Sequence, residues 1–424
     1  MDHKRVVNAS RRNILRGLTA SAASGLLAGV PAMVRAQQKP IRIGQVTIAS
    51  GRVAQIGFTS QNAMMIEIDA FNKAGGLNGR LLELVLRDSK GKPDDAARYT
   101  RELINNEGCD IIMDCEGSGG AFAVHEVIRD SKALCVHCLS ETSQLTADPK
   151  LKIPNAFRTS RQGVHDSIVG GSYAAKICKE KGYTRWATIA ADYSYGHEAT
   201  PEFLNYVRKA GSKVDMVGES WPKLFQPDYT ENITKLVQSK QQAMFCGLWG
   251  GDLTAFIDQA NLFGLFNQVE LFSIHMADYT TLTEIKNLPK SGLHSSNRYV
   301  RNFPDTAANH QWADAYKARF NSMPTNWSWE ASTGIRMIID AMRATKSAEP
   351  VKLAEAMRGM RITSPVGTKD GKVTMRAADQ TVIEYALGWG QVQPKDPYLT
   401  NISSADWAQV TTLETEWKKE RGFL

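Results

Sequence analysis

Three consecutive stretches decide the fold: residues 41–49 (IRIGQVTIA), the amphipathic run 54–73, and the turn 72–80 (NKAGGLNGR). The first is a short apolar run typical of a buried strand, and the second has the apolar spacing of a helix. Strands at 81–88, 110–115 and 133–139 then alternate with helices at 94–106 and 119–130. This alternation predicts a parallel sheet with helices on both faces.

The same pattern begins again after residues 157–161. Helices are predicted at 163–180, 196–210, 229–239 and 251–263, and strands at 186–191, 213–220, 243–247 and 269–275. Beyond residue 290 the alternation is too sparse for a third sheet. A strand is predicted at 292–299, helices at 306–320, 327–343 and 350–359, and strands at 372–376 and 381–389.

We therefore expect an α/β fold of two Rossmann-like lobes, joined by a hinge that the chain crosses several times. The first lobe is assigned to residues 40–159 plus 299–376, and the second to 160–298 plus 377–397. Residues 398–424 are expected to form a polar tail with Trp407 and Trp417 packed on the surface. Ligands of such sheets bind at the carboxyl ends of the strands, beside helix N-termini.

The first 36 residues have the pattern of an export signal. Ser10 precedes the pair Arg11-Arg12, an uncharged run covers 17–34, and Ala36 offers a small residue for cleavage. This pattern predicts a twin-arginine signal peptide and export to the periplasm. A membrane anchor is the alternative, but the glycines and the proline of the run make a poor spanning helix.

Composition excludes other classes of protein. The leader carries six Lys or Arg against Asp2, so it supplies five of the net charge of +7 and leaves about +2 on the mature part. No basic surplus remains for nucleic acid. The whole chain is 42% hydrophobic. The residues after the leader suit a water-soluble globular protein of two lobes. After the leader, no apolar run approaches the length of a membrane span.

The six cysteines are expected to be free and buried. Export in the folded state implies folding in a reducing cytosol, so disulfides need not form. A bond between Cys115 and Cys138 on neighbouring strands is the alternative. Cys135 and Cys138 form a C-x-x-C pattern, but inside an apolar strand, which argues against a redox role.

Several segments at the predicted strand ends resemble the leucine/isoleucine/valine-binding-protein family, which has the type I periplasmic binding fold and serves ABC importers. The resemblance covers about residues 41–390. The segments that carry it are 51–57 (GRVAQIG), 72–80 (NKAGGLNGR), 116–120 (EGSGG), 139–146 (LSETSQLT), 157–159 (FRT) and 192–196 (DYSYG). It implies a receptor without catalytic residues that closes two lobes around a small molecule and docks on an ABC permease in the inner membrane.

The resemblance also implies the ligand-binding residues. In the first lobe they are Ser118 after the third strand and the segment Ser140, Glu141 and Thr142 after the fourth. In the second lobe they are Tyr195 and Trp249. The physics agrees, because Ser118, Glu141 and Thr142 lie where helices begin and can bind a carboxylate without a basic side chain. For Ser118 the alternative is a plain helix cap, for Glu141 a solvent-facing position, and for the two aromatics core packing. Trp327 and Trp329 are expected in the core.

Two positions depart from the family pattern. The acidic residue that holds a ligand ammonium is replaced by His275, a seventh candidate for the lining of the cleft, for which burial is the alternative. An aromatic of the first loop is replaced by Ile56. Glu141 or Asp278 could replace the missing acid and keep an amino acid as ligand. If neither reaches the cleft, we expect a carboxylate or amide without an amine, and aromatic acids are then plausible.

An enzyme is not indicated. No G-x-S-x-G spacing surrounds Ser118, and the eight histidines show no metal-ligand spacing, so no metal and no cofactor are expected. The stronger alternative is a sensor of the same fold that signals to a membrane receptor or regulator, because fold alone does not separate the two roles. We expect a monomer.

Overall fold

The described chain begins with the predicted alternation of strands and helices. The computed structural model describes residues 38–289, 292–368 and 370–424; the expected signal peptide, residues 1–36, lies outside this part. The elements before the first crossing are β1 (Ile41–Thr47), α1 (Gln55–Lys73), β2 (Leu82–Asp88), α2 (Pro93–Asn105), β3 (Ile111–Cys115), α3 (Ser118–Arg129), β4 (Leu134–His137), α4 (Gln144–Ala147) and β5 (Ala156–Arg158).

The second group repeats the alternation, and the rest of the chain returns to both groups. The second group comprises α5 (Gly163–Lys181), β6 (Arg185–Ile189), α6 (Ser194–Lys209), β7 (Asp215–Ser220), α7 (Thr230–Ser239), β8 (Ala243–Cys246), α8 (Gly250–Leu262), β9 (Glu270–Ser273), α9 (Tyr279–Glu284) and β10 (Leu293–Ser296). The returning elements are α10 (Ala307–Phe320), α11 (Asn326–Thr345), α12 (Pro350–Met357), β11 (Arg361–Thr363), β12 (Lys372–Arg376), β13 (Thr381–Ile383), β14 (Gly388–Val392), β15 (Leu399–Ser404) and α13 (Trp407–Glu420).

These strands form two sheets, one in each lobe. The first has the order β11-β12-β13-β5-β4-β3-β1-β2 and the second the order β15-β14-β10-β9-β8-β6-β7. The strands from β2 to β5 and from β7 to β10 are parallel, and antiparallel strands extend one edge of each sheet. Both lobes therefore have the expected Rossmann-like order, in which the connections reverse direction beside the first strand.

The chain crosses between the sheets three times, at residues 159–162, 297–306 and 384–387. The last crossing differs from the expected boundary at residue 376, because β13 still belongs to the first sheet. Its register is held by Gln380, whose carbonyl accepts from the Arg158 amide at 2.8 Å and whose side-chain amide donates to the Ala156 carbonyl at 2.7 Å. The single strand predicted at 381–389 is therefore two strands in different sheets.

Residues 398–424 are not a surface tail. β15 pairs with β14 in the second sheet, and α13 packs against α5. Trp417 is 2% exposed, and its indole N–H donates to the Glu202 carboxylate at 2.8 Å. The same helix reaches the first lobe, where Glu414 accepts from Arg376 at 2.6 and 2.7 Å. The expectation was wrong because the apolar positions of this helix are few, although Val410 and Trp417 join the apolar core, and because its ion pairs leave no pattern in the sequence.

Both sheets enclose apolar cores, and all six cysteines lie in them. The cysteines are free and buried, which agrees with the expectation, and the alternative Cys115–Cys138 disulfide does not form. The Cys138 thiol instead donates to the Val136 carbonyl at 3.3 Å. Among the helices of the described residues, none combines the length and the apolar character needed to cross a membrane.

A chain of polar side chains crosses the core of the first lobe. The Asp114 carboxyl lies 2.5 Å from His137 Nδ1, His137 Nε2 lies 3.0 Å from His125 Nδ1, and His125 Nε2 lies 2.7 Å from the Leu151 carbonyl oxygen. All three side chains are buried. Burial raises the pKa of Asp114, and it lowers the pKa of His125 to about 4 and that of His137 to about 3. His137 of the C-x-x-C segment therefore belongs to a buried hydrogen-bond network.

Candidate functional site

A small cavity lies between the two lobes at the carboxyl ends of their strands. Its volume is about 30 Å³, well below the roughly 300–1,000 Å³ of ordinary ligand pockets. The two lobes therefore lie close together around the cavity. The cavity is lined by Gly117, Ser118, Leu139, Ser140, Glu141, Tyr193, Tyr195, Trp249, His275 and Trp327.

Helix N-termini surround this cavity. Ser118 is the first residue of α3, Tyr193 and Trp249 cap the starts of α6 and α8, and Trp327 lies in the first turn of α11. The first N–H groups of a helix have no partner inside the helix, and the helix dipole is positive at that end. The cavity therefore favours a negatively charged or hydrogen-bond-accepting group even though no lysine or arginine lines it.

Six of the seven sequence-predicted site residues line the cavity: Ser118, Ser140, Glu141, Tyr195, Trp249 and His275. Thr142 does not. Its hydroxyl donates to the Glu198 carboxylate, which also accepts from the Ser143 amide at 2.5 Å. Since Glu198 belongs to α6 of the second lobe, Thr142 joins the two lobes beside the cavity.

Three hydrogen-bonded pairs of side chains line the cavity. Ser140 Oγ donates to Ser118 Oγ at 3.2 Å, and Trp249 Nε1 donates to the Tyr193 hydroxyl at 2.7 Å. The third pair is the Tyr195 hydroxyl and His275 Nε2, 2.9 Å apart.

Each pair keeps one free proton. Ser118 and Tyr193 accept through their hydroxyl oxygens, so their own O–H groups remain available. The neutral Tyr195–His275 pair holds two protons, and one of them forms the hydrogen bond between the two side chains. The second proton stays on the Tyr195 oxygen or on His275 Nδ1. The Nδ1 atom has no partner among the described residues. The polar lining is consequently rich in donors.

His275 is neutral. Burial lowers its pKa well below the usual value, and the positive charges of Arg298 and Arg161 lower it further. His275 therefore cannot hold a ligand ammonium as a carboxylate would. It offers a ring nitrogen next to the Tyr195 hydroxyl instead.

The carboxylate of Glu141 faces the cavity but is already bound. Its two oxygens accept from the two terminal nitrogens of Arg298, one at 3.2 Å and the other at shorter range. Arg298 is 1% exposed and lies in the second crossing segment. Sequence reasoning missed Arg298, because a single arginine inside the strand predicted at 292–299 carries no motif.

Asp278 and Ile56, the two other positions considered from sequence, do not line the cavity. Asp278 caps α9 by accepting from the Thr280 amide at 3.1 Å, and its other oxygen accepts from the Asn326 amide at 3.2 Å. Ile56 is fully buried in an apolar cluster at the rim that also contains Trp249 and Trp327. Asp278 therefore does not replace the missing acid.

Tyr193 and Trp327 line the cavity although they were not predicted to do so. Tyr193 precedes Tyr195 at the start of α6, where both residues follow β6. Gly196 permits this tight turn, because a Cβ there would lie 2.1 Å from the Ala191 carbonyl oxygen. Trp327 packs in an apolar cluster, as expected, and it also lines the cavity, where it is 5% exposed. With Tyr195 and Trp249 the cavity has four aromatic walls.

A buried group of charges lies behind the cavity, at the hinge. Arg161 donates to the Asp166 carboxylate at 2.6 and 2.9 Å and to Ser296 Oγ at 2.9 Å. The Arg161 amide donates to Glu330 at 2.8 Å, and Arg298 Nη1 lies 3.8 Å from Asp166. Burial, with help from Glu141, raises the pKa of Glu330 well above its usual range, which favours the neutral form of this carboxyl.

No metal site is found within residues 38–289, 292–368 and 370–424. No three or more His, Cys, Asp or Glu side chains there come together as metal ligands do.

Comparison with known proteins identifies the family. The sequence profile described as "Periplasmic binding protein" matches residues 40–393. The chain belongs to this family, whose members bind solutes and are not enzymes.

Individual relatives are distant. A leucine-, isoleucine-, valine-, threonine- and alanine-binding protein of Pseudomonas aeruginosa is 24% identical over 347 residues, which make up 81% of this chain and 90% of that protein. A solute-binding protein of an ABC transporter from Rhodopseudomonas palustris BisB5, in complex with 3,4-dihydroxybenzoic acid, superposes with a TM-score of 0.76 at 24% identity, covering 87% of this chain and 98% of that one. The isoleucine complex of a branched-chain amino acid transporter substrate-binding protein from Streptococcus pneumoniae gives a TM-score of 0.73 at 16% identity, covering 87% and 99%. At these identities the superpositions show the fold alone.

Proposed function

We propose that this periplasmic binding protein is the solute receptor of an ABC importer and binds a small carboxylate between its two lobes. The observation that carries the proposal is the donor-rich lining, in which three hydrogen-bonded pairs each keep one free proton. A carboxylate has only acceptor sites and suits such a lining. The N-terminus of α3 at Ser118 adds backbone donors and a favourable dipole.

The body of the ligand is proposed to be flat and apolar, as in an aromatic acid. Tyr193, Tyr195, Trp249 and Trp327 provide walls that pack well against a ring. The neutral His275 and the Arg298-bound Glu141 leave no free carboxylate for an ammonium. Relatives of the same fold include both a dihydroxybenzoate complex and an isoleucine complex, so the comparisons are compatible with either class.

The mechanism is hinge closure by population shift. Ser118, Ser140 and Glu141 come from the first lobe, and Tyr193, Trp249 and His275 from the second, so one ligand contacts both. Contacts between the lobes support the closed form: Arg52 donates to the Gln226 carbonyl at 2.8 Å and to the Gly251 carbonyl at 3.2 Å. The closed form is the one that the permease would recognise.

Ligand binding and closure can be tested together. The purified protein, freed of retained ligand by partial unfolding and refolding, should bind benzoate or a hydroxybenzoate in calorimetry, and small-angle scattering should show a smaller radius of gyration with ligand. Native mass spectrometry before refolding identifies the retained molecule. Binding of leucine with no binding of any amine-free acid would overturn the carboxylate assignment, and an unchanged radius would overturn closure.

Export by the twin-arginine route is proposed from Arg11 and Arg12. Replacing both by lysine should leave the protein in the cytoplasmic fraction, with its leader uncleaved. Normal appearance of the double variant in the periplasm would refute this route.

A further inference from the structure

Glu141 and Arg298 form the one ion pair in which a residue lining the cavity takes part, among the described residues. Glu141 comes from the loop after β4 of the first lobe, and Arg298 from the second crossing between the lobes. Both are buried, and both terminal nitrogens of the guanidinium donate to the carboxylate. This bidentate arrangement is the strongest that an arginine makes with a carboxylate.

The charges around this pair balance. Asp166 is bound by Arg161 at 2.6 and 2.9 Å, and burial raises the pKa of Glu330, which favours the neutral form of that carboxyl. Arg298 is therefore the cation that compensates Glu141. Without Arg298, Glu141 would be a buried acid whose charge has no direct partner. The two residues of the pair lie 157 positions apart in the sequence.

We infer that Arg298 is a specificity-determining residue: by neutralising Glu141 it excludes ligands that carry an ammonium group. This inference rests on the proposed function, since it concerns the ligand of the same cavity. An ammonium entering the cavity would lose its water and find a carboxylate whose charge is already compensated, next to a guanidinium that repels it. A carboxylate without an amine pays no such cost.

The test uses ligands that differ only in the amine. Leucine is compared with 4-methylpentanoate, and phenylglycine with phenylacetate, by calorimetry on the purified protein. Wild type should bind the amine-free member of a pair more tightly. In Arg298→Gln the free Glu141 carboxylate can accept from the ammonium, and the preference should shift toward the amino acid by about tenfold to a hundredfold, the range of a hydrogen bond to a charged group.

Two further variants separate charge from damage to the fold. Arg301→Gln removes an arginine from the same crossing segment, where it pairs with Asp314 at the surface, and should leave the preference unchanged. Arg298→Gln combined with Glu141→Gln removes both charges and should not gain amino-acid binding. General damage to the cleft would weaken both members of a pair equally.

Glu141→Gln provides a test that does not depend on the folding of the Arg298 variant. It leaves the Arg298 cation beside the cavity, so the wild-type preference should persist or increase. Tighter leucine or phenylglycine binding by Glu141→Gln, or an unchanged preference in folded Arg298→Gln, would overturn the inference. Failure of wild type to bind benzoate and all four test ligands would overturn the proposed function as well, whereas wild type that prefers the amino acids would overturn the inference alone.

Discussion

Asp114→Asn should change the pH dependence of stability by an amount that follows from the hydrogen-bond chain in the first lobe. The Leu151 carbonyl can only accept, so His125 Nε2 must donate to it. In the neutral form His125 Nδ1 then accepts from His137 Nε2, and His137 Nδ1 accepts in turn, so Asp114 must carry a proton to donate to it. The proton can be placed on Asp114 or on His137. In both cases the pair holds one proton more than an ionised carboxylate beside a neutral imidazole would hold.

Asparagine fits the same place at every pH. Its amide N–H can donate to His137 Nδ1, and its oxygen can accept from the Glu116 amide, as the Asp114 carboxyl now does at 3.2 Å. The variant therefore preserves the direction of every hydrogen bond in the chain. Only the titration of position 114 is lost.

The sign follows from the raised pKa of Asp114 in the folded state. Unfolded, an aspartate loses its proton near pH 3.9, whereas the folded protein keeps it. The stability contributed by this proton is complete below the unfolded pKa and is lost as the pH rises toward the folded pKa. Between the unfolded and the folded pKa of Asp114, the advantage of wild type over Asp114→Asn should fall by about 1.4 kcal/mol for each pH unit.

Urea unfolding of both proteins at pH 5, 6 and 7, followed by circular dichroism, measures this difference. Asp110→Asn, the same substitution at an exposed position just before β3, is the matched control and should show a constant difference from wild type. A difference between wild type and Asp114→Asn that does not change with pH would refute the reasoning, because it would mean that Asp114 is ionised in the folded state.

Three other substitutions test the site and the hinge. Ser118→Ala should weaken carboxylate binding by about 1–3 kcal/mol in calorimetry, whereas Ser172→Ala on α5, which removes a comparable serine outside the cavity, should not; equal affinities would exclude Ser118 from the site. Glu198→Ala leaves the Thr142 hydroxyl and the Ser143 amide unpaired in the closed form. It should therefore weaken ligand binding and enlarge the radius of gyration of the ligand-saturated protein. A radius equal to that of wild type would count against this contact between the lobes. Trp417→Ala should cost about 3–5 kcal/mol of stability in urea unfolding, and a loss below about 1 kcal/mol would show that α13 is the surface tail expected from sequence.

The sequence predicted which residues line the cavity wherever a strand end carries a recognisable segment. Ser118, Ser140, Tyr195 and Trp249 follow predicted strands, and the carboxyl ends of parallel strands meet at one edge of a sheet. Thr142 was assigned from the same rule, but its side chain leaves the cavity for Glu198, a partner 56 residues further along the chain. Local pattern gives the position of a residue in the fold and not the direction of its side chain.

The element boundaries that were predicted wrongly have a related cause. The apolar run 381–389 reads as one strand, yet residues 384–387 carry the chain from one sheet to the other. Hydrophobicity is the same in both sheets, so nothing in the run marks the crossing. The α13 helix was missed because few of its residues are apolar, and because its ion pairs and its tryptophan hydrogen bond have no periodic signal.

The sequence by itself determined the two lobes and the edge of the sheets at which the cavity lies. Strand and helix periodicity is local, and the order of the elements along the chain settles the topology. Only the tertiary structure decided the charge of the site. The compensation of Glu141 by Arg298 and the closure of the lobes through Glu198 both join residues that are far apart in sequence, and the energy of such contacts depends on distance and burial in three dimensions.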